Sequence, residues 1–236
     1  MDNIKEFKSK SSFEYYINKK ITKNSLGSGT EGDCYIGKNN LAYKIIKDDN
    51  LILTQYDPDK IITEKDLKLD SFYFPIELFI VNNKVVGYTS RLVKKDLFLN
   101  NYINNSFRFR VDDNYITYSK EAQHEMIEKA LFEIDFEKLK SAYAKIYNDT
   151  IILTNNNIKI IDLLNNLLFD GTNLIAIDTL NYMKSQNSSG NIKILELTLK
   201  EQLDNLYGLA YNDHINSDKK MYSYLNKMNK KILKRK

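Results

Sequence analysis

The chain has 236 residues, 42% hydrophobic and 28% charged, the proportions of an ordinary globular protein with room for one large core or two small lobes. A net charge of +4 is too small to argue for nucleic acid, and a single cysteine, Cys34, excludes an internal disulfide and fits a reducing, cytoplasmic setting. No apolar run approaches the length of a membrane span, and Met1 to Lys10 does not read as a signal peptide.

In chain order, Ile4, Phe7, Phe13, Tyr16 and Ile17 stand among charges over residues 3 to 18, which predicts a short amphipathic helix. Ile21 to Leu26 reads as a strand leading into Gly27-Ser28-Gly29-Thr30-Glu31-Gly32. Three of the 8 glycines in the chain fall here at G-x-G-x-x-G spacing. Glycine serves where backbone bends sharply or a ligand comes close, and successive free N–H groups in such a turn suit phosphate oxygens.

The flanks separate the two arrangements that use this spacing. In a dinucleotide-binding fold the glycines open a helix. Here Cys34-Tyr35-Ile36 is β-prone, Lys38-Asn39-Asn40 is a turn signal, and Leu41 to Ile46 is apolar around Lys44. The order is strand, glycine turn, strand, turn, strand with a lysine. A plain hairpin with an exposed lysine is the bland alternative. The joint pattern resembles the nucleotide-binding loop and phosphate-pairing lysine of the protein kinases.

That resemblance implies that Gly27, Gly29 and Gly32 cover the phosphates of ATP and that Lys44 pairs with them. It also implies a helix within Leu51 to Leu69, opened near Pro58, whose Glu64 holds Lys44. By the period of two, Lys44 shares a sheet face with Ala42 and Ile46 while Tyr43 and Ile45 face the other way. A buried ammonium needs a negative partner, so a carboxylate of Glu64 or Asp178 is expected within reach.

Phe72 to Phe79 and Lys84 to Val93 read as a hairpin turning at Asn82-Asn83. They would complete a five-stranded antiparallel lobe over residues 1–93. The kinase layout then places Tyr88 at the back of the nucleotide pocket, with the backbone of Leu92 and Lys94 along the adenine edge. Residues 94 to 118 show no period. Lys120 to Tyr147 reads as a helix, with apolar positions from Ile127 to Ile146.

The second informative stretch runs from Ile158 to Asp178. An apolar strand ends on Asp162, a short loop carries Asn166, and a hairpin turning at Asp170-Gly171 leads to Asp178. Asp-x-x-x-Asn, hairpin, Asp resembles the kinase catalytic loop and metal-binding aspartate. The resemblance implies Asp162 as the base on the acceptor hydroxyl, with Asn166 and Asp178 holding Mg2+. The departures are plain. Ile160-Ile161 stands where His-Arg is usual, the loop is one residue short, and Thr179-Leu180 follows Asp178 in place of Phe-Gly. A rival register takes Asp149 as base, Thr154 in the asparagine position and Asp162 as the metal aspartate.

Ile192 to Leu209 reads as a buried helix able to support the catalytic loop. The tail from Lys219 to Lys236 carries eight basic residues and no acidic one, so it suits an acidic partner or plain solvation. The expectation is therefore an α+β, minimal bilobed kinase-like protein of small bacterial type, with a helical lobe over residues 94–236. Its implied activity is ATP- and Mg2+-dependent phosphoryl transfer to a protein Ser/Thr hydroxyl. A pseudokinase scaffold and a small-molecule kinase are the alternatives.

Overall fold

The computed structural model describes residues 3–29, 31–47, 57, 60–93, 96, 108–111, 114–117, 134–209, 219, 223–224 and 226–227. It divides into two compact units, Met1–Lys94 with Ile177–Ser185, and Lys95–Ala176 with Gln186–Lys236. Both sheet and helix are present, so the chain is α+β.

The first unit is built on a six-stranded sheet in the order β1-β5-β6-β4-β3-β2. The strands are β1 (Ile4–Phe7), β2 (Ile21–Ser28), β3 (Gly32–Gly37), β4 (Leu41–Ile46), β5 (Glu77–Val81) and β6 (Lys84–Arg91). β2 to β6 pair antiparallel, as expected. The sixth strand corrects the five-stranded expectation, because β1 adds parallel to β5 with Ile4 opposite Leu78. The predicted helix starts only at α1 (Lys10–Lys20), where Ser9 and Ser12 form a reciprocal capping box. Upstream of that cap the backbone takes its hydrogen bonds from the β5 edge.

Tight turns follow local chemistry. Asn82 and Asn83 between β5 and β6 have φ of 50° and 58°, the left-handed pair that a two-residue hairpin demands. Phe79 lies at the centre of one face, stacking near Phe7, Phe13, Tyr16 and Tyr43. Tyr43, with partly buried Leu41 and Ile45, belongs to that cluster. Ile46 faces the other way, with Leu78, Val85, Tyr88 and Leu180. β4 therefore alternates between two apolar environments.

Within Leu51 to Leu69 the expected helix is not found among the described residues, Asp57 and 60–69. Thr63 to Asp66 is a turn, closed by the Asp66 carboxylate accepting from the Thr63 N–H (2.9 Å) and hydroxyl (2.8 Å). Asp66 thus satisfies both Thr63 donors within the turn itself. Pro58 lies outside the described residues.

The second unit contains a short antiparallel pair, β7 (Arg108–Val111) and β8 (Asn114–Thr117). It continues with α2 (Phe136–Asn155), β9 (Ile158–Lys159), the hairpin β10 (Leu167–Phe169) and β11 (Leu174–Ala176), and α3 (Asn191–Leu209). Asp135 caps α2 through the N–H groups of Glu137 and Lys138. Asp149 and Thr154 both lie on α2, with the Thr154 hydroxyl donating back to the Thr150 carbonyl (2.8 Å). The rival register needs a loop there, and the chain is helical instead. Residues 120–133 of the expected helix are not described. Most of the Lys219 to Lys236 tail is likewise outside the described residues, although Tyr224 meets the Tyr143 ring at 6.0 Å.

Candidate functional site

In the first unit, three neighbouring strands place one side chain each in a row. Cys34 on β3 is the register partner of Lys44 on β4, and Lys44 is the partner of Tyr88 on β6. Asp178 comes to this row from the segment Ile177–Ser185. It has left-handed backbone (φ 56°, ψ 44°) and precedes a 3-10 turn, Thr179–Asn181. The Thr179 hydroxyl donates to the Tyr73 carbonyl at 3.0 Å, and the Tyr182 ring packs against Phe72 and Phe74, each at 6.2 Å. These contacts fix the turn and hence the aspartate.

The Lys44 ammonium donates to Asp178 Oδ2 and, at 3.2 Å, to Glu31 Oε2. The side chain of Lys44 is 10% exposed, that of Asp178 23% and that of Glu31 47%. Burial by itself pulls the lysine pKa down, but the charge and hydrogen bond of Asp178, reinforced by Glu31, hold it above the ordinary value. Lys44 is therefore a fixed cation.

Tyr88 donates from its hydroxyl to Asp178 Oδ1 at 2.6 Å. Burial, then the Asp178 charge, push the phenol well above its ordinary range, so it stays a donor. Cys34 is pushed up to about 11 by burial, against the opposing pull of Lys44, so its thiol is neutral.

The glycine turn bridges β2 and β3. Gly32 has to be glycine, because a Cβ there would collide with the Ile45 carbonyl oxygen of β4. Gly27 and Gly29 carry no such demand; a Cβ at Gly27 meets nothing within 4 Å, and one at Gly29 meets only the Gly32 oxygen at 3.8 Å. The turn is closed on itself. Gly29 N–H donates to the Gly32 carbonyl (2.9 Å), and Lys47 Nζ donates to the Gly29 carbonyl (2.7 Å) and Ser28 Oγ (3.2 Å). Asn181 Nδ2 reaches Glu31 Oε1 at 3.4 Å.

Glu64 is placed away from Lys44. Its carboxylate pairs with Arg91 at 3.5 Å and Lys68 at 3.9 Å. Arg91 also donates to the Leu69 and Phe72 carbonyls and covers the Tyr73 ring at 4.0 Å. Glu64 and Arg91 thus tie the 61–75 segment to the end of β6. Without a helix across 60–69, nothing carries Glu64 to the lysine; Glu31 and Asp178 are the carboxylates there. Leu92 is half-buried just past β6, and Lys94 is outside the described residues.

In the second unit, Asp162 is exposed, with a left-handed φ of 51°. Asn166 Nδ2 donates to the Asp162 carbonyl at 2.8 Å, closing the loop between them. Two residues of α3 hold that loop from beneath. Asn191, fully buried, accepts from the Ile160 N–H (3.0 Å) and donates to the Ile158 carbonyl (2.7 Å). Gln202 donates to the Leu164 carbonyl at 2.7 Å. The hairpin after the loop turns where Asp170 Oδ1 accepts from the N–H groups of Thr172 (2.8 Å) and Asn173 (2.7 Å).

No family model matches the chain, and no curated protein matches it. Structural neighbours exist, and they are kinase-like. The chain is similar to the BubR1 kinase domain, at 12% identity and a TM-score of 0.40, over 79% of this chain and 55% of that one. It is also similar to APH(2")-IIa, whose structure is a ternary complex with streptomycin and ATP, at 12% identity and a TM-score of 0.35, over 91% and 86%. Likenesses this distant decide nothing about activity.

Among the described residues no group of three or more His, Cys, Asp or Glu could hold a metal ion. Magnesium needs no such cage; it keeps waters and takes one or two carboxylates together with phosphate oxygens. In the first unit the carboxylate of Asp178 is a hard oxygen donor of that kind; in the second, Asn166 is taken up by its own loop. No helix among the described residues is long and apolar enough to cross a membrane.

Proposed function

We propose that the chain is an ATP-dependent phosphotransferase. One observation carries the reading: a buried lysine held charged by Asp178, on the same sheet as a glycine turn whose first two glycines no packing requires. Any buried ammonium needs a carboxylate, so the reading leans on the glycines beside it: glycines free of internal contacts suit backbone that approaches a ligand.

In this reading Lys44 orients the nucleotide phosphates, and Gly27 and Gly29 let the turn lie close over them. Gly32 keeps the turn seated on β4. Asp178, held by Tyr88 and Lys44, would bind magnesium, which when present neutralises charge on the phosphates. Asp162 takes the proton of an acceptor hydroxyl as its oxygen bonds to phosphorus and the bond to the departing nucleoside diphosphate breaks. Glu64 has a structural role through Arg91. The acceptor proposed is a protein Ser or Thr hydroxyl.

A second reading, a pseudokinase that binds partners without phosphoryl transfer, draws on the pairing of Glu64 with Arg91 and on Glu31 occupying the lysine. Transfer of label from ATP in the presence of magnesium, compared between the wild type and Asp178→Ala, separates the two. Label transfer lost in the variant supports the enzyme. No transfer by either protein favours the pseudokinase.

A further inference from the structure

Two carboxylates meet one ammonium in the first unit, and they are held differently. Asp178 is fixed by Tyr88 and by the anchored turn that follows it. Glu31 lies on the glycine turn, is 47% exposed, and reaches Asn181 only at 3.4 Å. Lys44, Asp178 and Glu31 together carry a local charge of −1. A polyphosphate approaching that group meets net repulsion, and its place on the ammonium is already taken by Glu31 Oε2 at 3.2 Å. The Gly29 N–H is likewise turned inward, onto the Gly32 carbonyl at 2.9 Å. The turn thus supplies an acceptor of its own to each of these two groups.

Resting on the nucleotide reading above, we propose that Glu31 is an internal latch: its carboxylate occupies the anion position on Lys44 and bridges to Asn181, so that a polyphosphate binds only by displacing it. Glu31 is the displaceable member because it is the exposed one. Asp178 remains on the lysine when Glu31 leaves, which keeps the buried ammonium paired. Releasing Glu31 frees the turn from the Thr179–Asn181 segment and removes one negative charge from beside the ligand.

The test compares the wild type with Glu31→Gln by calorimetric titration, using sodium tripolyphosphate and ATP as separate probes, each without magnesium. Hydrogen exchange of the 26–33 amides is followed in both proteins without ligand. Roughly tenfold tighter binding of both probes by Glu31→Gln, the equivalent of one displaced charge contact, is expected. Faster exchange across 26–33 in the variant is expected with it. Equal or weaker binding by Glu31→Gln overturns the latch and leaves the nucleotide reading standing. A gain for tripolyphosphate with no ATP binding by either protein supports the latch and overturns the nucleotide reading. No binding of either probe by either protein overturns both, and unchanged exchange in the turn overturns the latch.

Discussion

Replacing Tyr88 with phenylalanine removes one oxygen from the first unit and leaves its packing in place. Tyr88 is 3% exposed, and its ring lies among Ile46, Leu78 and Val85, contacts that phenylalanine keeps. What is lost is the 2.6 Å bond to Asp178 Oδ1. A hydrogen bond to a charged acceptor contributes about 1.5–3 kcal/mol. The Asp178 side chain is 23% exposed, so water recovers part of that, and a loss of about 1–2 kcal/mol is expected. In a chain of this size each kcal/mol shifts Tm by about 2–4 °C. Urea unfolding should show a lower midpoint at unchanged slope. The same substitution made on an Asp178→Ala background should cost under about 0.5 kcal/mol, because the acceptor is already gone. A loss below about 0.3 kcal/mol in the wild type, or an equal loss in both backgrounds, would refute the claim that Tyr88 holds the aspartate.

Two further outcomes follow from the same geometry. Gly32→Ala should lose about 1–3 kcal/mol of stability from the collision with the Ile45 carbonyl, whereas Gly29→Ala should melt close to the wild type and bind ATP more weakly, as differential scanning and titration would show. The Lys44 ammonium is raised above the ordinary lysine value of 10.5, so its stabilisation is complete below that value and is lost as pH rises through the higher folded one. The stability gap between wild type and Lys44→Met, read from urea midpoints, should therefore stay flat from neutral pH to about 10 and close only above it.

Period and turn chemistry made much of the first unit legible. The alternation in Leu41 to Ile46 already set Lys44 and Ile46 on one face and Tyr43 and Ile45 on the other, and the structure places them so. Asn82-Asn83 and Asp170-Gly171 mark hairpins because their side chains and φ angles favour those turns. α3 followed from its leucines. The misses share a cause: they depend on closure in three dimensions. β1 is too short for its period to declare itself, and only the β5 edge makes it a strand. Glu64 stood at a workable sequence distance from Lys44, yet the turn closed by Asp66 sends it to Arg91. Glu31 drew no expectation, since nothing in a sequence shows a loop carboxylate folding back onto a lysine. Asn191 falls just before the expected helix start at Ile192, and its amide holds Ile160 from 31 residues away.

Lys44 and the glycine turn are proposed to bind the phosphates of a nucleotide. The most direct measurement is the thermal unfolding of wild type and Lys44→Met with ATP, with and without magnesium. Ligand at a hundredfold excess over its dissociation constant stabilises a folded protein by about 2.7 kcal/mol. A shift of that order is expected for the wild type, larger with magnesium, and little or none for Lys44→Met. Equal shifts in both proteins, or none in the wild type under either condition, would contradict the proposal.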